Sequence, residues 1–243
     1  MMVTPELLGT FPIFKSLPRV VLAQIAVKSE LKKFSRRGIV LSAGAKEDAV
    51  CFLFEGRLQG LDFTIDGREV GLYFVTPGDF CGELALFDRE PQSEFVIART
   101  AAVVVFVPIK EMQGVMLKTP EVMNVLGGKM ASRVRQMAFQ RSLLGLPNIG
   151  QRVCCQLWML VSDREKANMA SEIRRDYIQK AAEIDHPPTH MEIAIMLNVS
   201  RETVTRVFQT LQNRQIVRRD GSAKLIISNL EALRQFAEGT QDF

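Results

Sequence analysis

The stretch from Thr189 to Arg214, THMEIAIMLNVSRETVTRVFQTLQNR, constrains the fold more than any other part of the chain. Pro187 and Pro188 end whatever precedes it. Thr189 followed by Glu192 has the spacing of a capping box, in which a hydroxyl and a carboxylate satisfy each other's backbone N–H groups where a helix begins. Ile193, Ala194 and Leu197 give that helix an apolar side, Asn198-Val199 reads as a tight turn, and Ser200 as the N-cap of a second helix. At roughly 100° per residue, Arg201, Glu202, Thr205, Arg206 and Gln209 share one face of the second helix. Val204, Val207, Phe208 and Leu211 fall on the opposite face. The apolar face has to be buried, so the polar one points outward.

Two helices joined by a short turn, the second presenting clustered hydrogen-bonding side chains, make a helix-turn-helix. Arginine donates two hydrogen bonds to guanine O6 and N7, and glutamate accepts from cytosine N4. A solvated amphipathic helix would show the same polar spacing, but the flanks decide against it. QIVRRDGSAKLIIS supplies two β-prone runs around Asp220-Gly221-Ser222, the pattern of a hairpin wing. Between Thr189 and Lys224 six Lys/Arg oppose three acids, a local excess suited to a phosphate backbone.

Ser200-Arg201-Glu202-Thr203-Val204, with Arg206 two residues on, resembles the recognition-helix signature of the cyclic-AMP receptor protein/FNR (CRP/FNR) family of bacterial transcription regulators. The resemblance implies that Arg201, Glu202 and Arg206, with Thr205 on the same face, read the bases of a TGTGA-like half-site. It implies phosphate contacts at Ser200 and Thr203, to which Thr189 is added. It extends over nearly the whole chain and implies an α+β fold in three parts. These are an N-terminal antiparallel β-roll of the cyclic-nucleotide-binding type over residues 1–118, a dimerisation helix and hinge over 119–146, and a winged helix-turn-helix over 147–243. The implied partners are double-stranded DNA, a second copy of the chain and, for an activator, RNA polymerase.

The N-terminal half supports this by its own periodicity. Two short apolar segments split by Pro18 read as small helices. From Leu31 the period becomes two: Val50, Phe52 and Phe54 alternate, as do Leu61, Phe63 and Ile65, then Val70, Leu72 and Phe74. Ala43-Gly44, Glu55-Gly56, Asp66-Gly67 and Pro77-Gly78 are turn signals, and Ala101–Val107 is apolar enough to be a strand buried on both faces. Many short strands at regular intervals predict an antiparallel sandwich or barrel. A chain of 243 residues with 47% hydrophobic content supplies two cores.

Within that half, Gly78-Asp79-Phe80-Cys81-Gly82-Glu83-Leu84-Ala85-Leu86 resembles the family's phosphate-binding cassette. Glycine lets backbone approach a ligand, a turn into a short helix presents N–H groups to a phosphate, and a carboxylate accepts from a ribose hydroxyl. The candidate effector-binding residues are Gly82, Glu83, Leu84, Gln92, Ser93, Arg99 and Met137. Two departures from the family's cyclic-AMP binders count against that nucleotide. Gln92-Ser93 stands where those proteins carry an arginine-serine pair, and an uncharged amide binds phosphate far less strongly than a guanidinium. Met137 and Ala138 stand where they carry adenine-binding hydroxyls. Cyclic di-GMP, as in some relatives, another effector, or none at all, fits better than cyclic AMP.

Pro120–Leu146 reads as one long helix. Met123, Met130, Met137 and Leu144 recur every seven residues, with Leu126 and Val134 between them, the spacing of a coiled-coil seam or of a helix packed on its own domain; the family resemblance implies that this helix is the dimer axis. Gly127-Gly128 weakens it locally, and Arg133, Gln140 and Arg141 interrupt its companion row. Gly145-Leu146-Pro147 breaks the helix and is the expected hinge. Residues 149–185 read as helical material, ending in a charged segment, Glu165–Asp185, that suits a surface helix or a loop. None of the four cysteines forms a CxxC pair, and no closely spaced N-terminal group matches the family's iron–sulfur members. Both histidines lie beside the helix-turn-helix, so neither haem nor an iron–sulfur cluster nor any other metal is expected. No nucleophile-base pair or paired-carboxylate site suggests an enzyme. With no secretory signal and no apolar run long enough to span a bilayer, the expected location is the cytoplasm, away from membranes. The competing reading, a nucleotide sensor acting through protein–protein contacts, leaves Arg201, Glu202 and Arg206 without a purpose.

Overall fold

Strands β3 (Ala49–Glu55) and β8 (Ala102–Pro108) are apolar along almost their whole length, so each needs a core on both sides. Val50, Phe52, Val105 and Val107 enter one core, and Cys51, Leu53, Val104 and Phe106 enter the other. The computed structural model describes residues 2–162, 181–221 and 224–241. The chain divides into two units, residues 1–138 and 139–243.

In the first unit, β1 (Glu30–Phe34), β8, β3 and β6 (Phe80–Cys81) form one four-stranded antiparallel sheet, in that order. Strands β2 (Ile39–Leu41), β7 (Phe95–Ala98), β4 (Leu58–Phe63) and β5 (Glu69–Val75) form a second, also antiparallel. The inner core holds Leu58, Tyr73, Val75, Val96 and Ala98 from the second sheet with Cys51, Leu53, Cys81, Val104 and Phe106 from the first. The outer core lies on the other side of the first sheet. There Phe11 and Phe14, from the turns after α1 (Pro5–Gly9), pack on Phe52 with ring centroids 5.3 and 4.8 Å away. Leu22 and Ile25 of α2 (Arg19–Lys28) and Met112 and Val115 of α3 (Ile109–Met116) complete this core. Helix α4 (Pro120–Leu144) contributes Val122 and Leu126. Leu126 is fully buried there, a correction to its reading as a seam residue: the row at 122, 126 and 133 faces this chain's own roll.

The second unit is built on α5 (Ile149–Leu160), α6 (His190–Leu197), α7 (Arg201–Asn213) and α8 (Leu230–Glu238). Asn148, Thr189, Ser200 and Asn229 each cap the following helix through a side-chain oxygen. Their core joins Val153, Leu157, Ile193, Leu197, Val204, Phe208, Leu211, Leu233 and Phe236, and takes in Leu143 from the last turn of α4. The wing is the antiparallel pair β10 (Val217–Asp220) and β11 (Lys224–Ile227). A third strand, β9 (Ala182–Asp185), pairs with β11 and corrects the helical reading of this segment's end. Its residues alternate, with Ala182 and Ile184 inward and Glu183 and Asp185 outward, which suits a sheet edge and not a helix. Residues 163–180, the rest of the charged segment, lie outside the described residues. All four cysteines are free and buried, and burial pushes the Cys154 thiol up to about 12. No helix among the described residues is long and apolar enough to cross a membrane.

Gly60 of β4 faces Tyr73 of β5, and a Cβ built there would lie 2.5 Å from the tyrosine ring. The ring is buried and hydrogen-bonded, so it has little freedom to retreat. Gly60→Ala is therefore expected to lower the stability of the roll by about 1–3 kcal/mol, measured as a shift in the denaturant midpoint.

Candidate functional site

The recognition helix is positioned by its caps and its buried face. The capping box at Thr189 is complete: Glu192 N–H donates to the Thr189 hydroxyl at 3.2 Å, and Thr189 N–H donates to the Glu192 carboxylate at 2.6 Å. Asn198 closes α6 in the left-handed conformation, φ 51° and ψ 50°, so the chain turns within three residues. Ser200 then accepts from Thr203 N–H at 3.2 Å. Val204, Val207, Phe208 and Leu211 are buried, while Arg201, Glu202, Arg206 and Gln209 are exposed. Thr189 and Ser200 are exposed too, and Thr203 and Thr205 are half-buried. Backbone and Ser200 hydrogen bonding at the helix start hold the Glu202 carboxyl below its ordinary value, which keeps it an acceptor.

Thr205 has a role not visible in the sequence. Its hydroxyl donates to the Arg201 carbonyl at 2.9 Å and lies 3.0 Å from His190 Nδ1. With the hydroxyl proton committed, Nδ1 must carry the proton and donate, an assignment from the hydrogen-bond network. The imidazole stacks on Phe208 with ring centroids 4.3 Å apart, and Arg219 lies over the same phenyl ring. Nε2 is buried with no hydrogen-bond partner among the described residues.

The cassette in the roll is organised around a residue from α4. The Arg133 guanidinium pairs with the Glu83 carboxylate, donates to the Phe80 carbonyl and lies 4.2 Å from the centroid of the Tyr73 ring. Glu83 is 1% exposed and Arg133 8%. Burial pushes the Glu83 carboxyl up, against the opposing pull of Arg133. The Tyr73 hydroxyl donates to one oxygen of buried Glu94 at 2.5 Å, and the Ser93 hydroxyl donates to the other. One turn before Arg133, Lys129 pairs with Asp79. Gln92 is buried, its backbone bonded to Gly44 and Ala45, its amide nitrogen without a hydrogen-bond partner among the described residues.

The other candidate effector residues are scattered. Gly82 has φ +77°, the left-handed turn that aims Glu83 inward. Leu84 starts a 3-10 turn with its side chain partly exposed. Arg99 is held by Gln59 at 2.6 Å and Glu69 at 2.7 Å on the second sheet and does not join Glu83. Met137 is exposed on α4. Arg133, Tyr73 and Glu94 join the site without standing out in the sequence. For Arg133 a signal exists: a charge in the same helical row as two buried apolar residues needs a buried partner.

A β-roll with a cassette, followed by a winged helix-turn-helix, defines a class of two-part regulators in which one part takes an effector and the other takes DNA. Comparisons with known proteins agree with this division. The cyclic nucleotide-binding domain family matches residues 31–119, and the Crp-like helix-turn-helix domain family matches residues 151–236. The chain belongs to the CRP/FNR family of DNA-binding transcription regulators. It is 25% identical over 232 residues to the CRP-like cAMP-activated global transcriptional regulator of Mycobacterium tuberculosis, covering 96% of this chain and 99% of the relative. Its fold is similar to that of FixK2 from Bradyrhizobium japonicum, with a TM-score of 0.67, 17% identity, and 86% and 96% of the two chains covered. It is also similar to the c-di-GMP responsive global regulator CLP of Xanthomonas campestris, with a TM-score of 0.60, 16% identity, and 86% and 98% covered.

His190 sets a pH dependence. Burial, then Arg219 and Arg201, hold its imidazole below the ordinary value of 6.5. In the unfolded chain it takes up a proton first, so stability is unaffected well above pH 6.5 and falls as the pH drops below it. Between about pH 6.5 and 5.5 the wild-type melting temperature should fall more steeply than that of His190→Phe, which keeps the stack and cannot be protonated.

Proposed function

We propose that the chain is a homodimeric, sequence-specific transcription regulator that inserts α7 of each protomer into the major groove at a palindromic TGTGA-like site. The observation that carries this reading is the outward placement of Arg201, Glu202 and Arg206 opposite a fully packed apolar face. Two arginines and an ionised glutamate supply the donors and the acceptor needed for guanine and cytosine edges. Thr189, Ser200 and Thr203, at or near the starts of α6 and α7, are the proposed phosphate contacts. Thr205, its hydroxyl engaged by His190 and Arg201, acts in base reading through the position it gives α7.

Dimerisation through α4 is supported by an exposed row. Met123, Val134, Met137 and Leu144 are 43%, 66%, 47% and 39% exposed, Met130 is half-buried, and all lie at heptad spacing. Such a row suits a second copy of the same helix. The dimer would set its two recognition helices about 34 Å apart, one turn of B-form DNA. An activator of this kind also meets RNA polymerase.

The roll is the proposed effector unit, with α4 linking its state to DNA affinity. An effector shifts that equilibrium only by its differential affinity for the two arrangements. Gln92, Met137 and Ala138 set cyclic AMP aside. Cyclic di-GMP, to which CLP is said to respond, is the alternative to titrate beside it.

A gel shift with a TGTGA-type palindromic duplex at stated salt tests the reading. Arg206→Ala should cost about 1–3 kcal/mol of binding and relax discrimination at one base position; uniform weakening across sequences would mark Arg206 as a phosphate contact. Val134→Glu should convert the dimer to monomer in sedimentation and abolish specific binding, since a buried unpaired carboxylate in the seam is strongly disfavoured.

A further inference from the structure

The carboxylate of the cassette is already paired with a side chain of α4. Glu83, the carboxylate placed to accept from a ribose hydroxyl, has one oxygen committed to Arg133, and its other oxygen is buried with no hydrogen-bond partner among the described residues. The Phe80 carbonyl, at the same turn, is also taken by Arg133. The guanidinium is covered by the Tyr73 ring, which fits only because Gly60 has no side chain. Tyr73 is fixed in turn by Glu94, whose two oxygens accept hydroxyl hydrogen bonds from Tyr73 and Ser93. Gln92 brings no charge. The linked group Glu83, Arg133, Tyr73 and Glu94 therefore carries two carboxylates and one guanidinium, all at least nine-tenths buried. A phosphate placed among them would add a further negative charge where burial leaves little solvent to screen it.

We propose that Arg133 is a specificity-determining residue that occupies the cassette from within and closes the roll to 3′,5′-cyclic mononucleotides. Glu83 is 1% exposed, so a cyclic nucleotide has to move the guanidinium that packs on it before its ribose can reach either carboxylate oxygen. Displacement also frees α4 at Arg133, leaving Lys129–Asp79 as the ion pair on the cassette side. This inference rests on the reading of the roll as the effector unit and makes no use of DNA binding.

The test compares two variants of the full chain by calorimetry with cyclic AMP and cyclic GMP. Gln92→Arg adds a cation for the phosphate but leaves Arg133 in place. Gln92→Arg combined with Arg133→Ala moves the cation from helix to cassette. Wild type and the single variant should show no binding. The double variant should bind at least about tenfold more tightly than the limit the single sets, the effect expected of one charge-assisted hydrogen bond from the ribose hydroxyl to the Glu83 carboxylate that Arg133 no longer occupies. Tighter binding by Gln92→Arg alone than by the double variant would make Arg133 a ligand contact and overturn the proposal, as would cyclic nucleotide binding by the wild type. If the double variant does not fold, Glu83→Gln with Arg133→Met removes both charges at similar volume. Amide exchange over residues 126–138 should then rise relative to wild type, and unchanged exchange there would overturn the proposal. Because neither arm uses DNA, a failed gel shift with the expected calorimetry, or the reverse, separates this inference from the functional reading.

Discussion

Burial of one side of α7 is the constraint from which the DNA-binding unit follows. Val204, Val207, Phe208 and Leu211 pack against α5, α6 and the wing in a single core, and four buried side chains of this size contribute roughly 1.5–3 kcal/mol each. With that face fixed, helical geometry leaves Arg201, Glu202 and Arg206 no direction but outward. The caps then set where the helix starts, and the left-handed Asn198 sets how sharply it leaves α6. Charge placement is a consequence of apolar packing, and the order matters: the core would hold with other polar residues outside, but the polar face would have no fixed direction without the core.

The second organising contact is electrostatic and of another character. A buried arginine–glutamate pair is weak evidence for stability, because stripping water from both ions offsets most of their attraction. Losing one partner is costly nonetheless, since the remaining charge stays in a medium that cannot solvate it. The pair between Glu83 and Arg133 is therefore better understood as specifying an arrangement than as strengthening the roll. It fixes which face of α4 lies on the cassette, and it sits one turn from Lys129–Asp79 on the same side.

Features written in local periodicity are legible in the sequence. The capping box, the turn at Asn198, the two faces of α7, the wing and the strand character of Ala101–Val107 all rest on residues within a dozen positions of one another, where helix and strand geometry decide. Contacts between distant segments are not. Glu83 and Arg133 are fifty positions apart, and nothing in either neighbourhood names the other. Seen alone, Arg133 looks like an interruption in a seam; its row in fact faces the roll, as buried Leu126 does. Strand β9 is hidden because Ala182–Asp185 follows a charged, helix-like run, and its alternation is only four residues long. Its identity comes from β11 alongside. His190 and Thr205 are fifteen residues apart on consecutive helices, so their meeting depends on a crossing that sequence spacing does not give.

The four cysteine sulfurs have a consequence for the chemistry of such a chain. Each is enclosed in a packed interior, and Cys154 holds its proton to about 12, far from the thiolate that reacts with peroxide or alkylating agents. A folded molecule with this arrangement offers oxidants no ready thiolate among its cysteines. Oxidation of these thiols therefore requires an opened core, and their modification reports on unfolding.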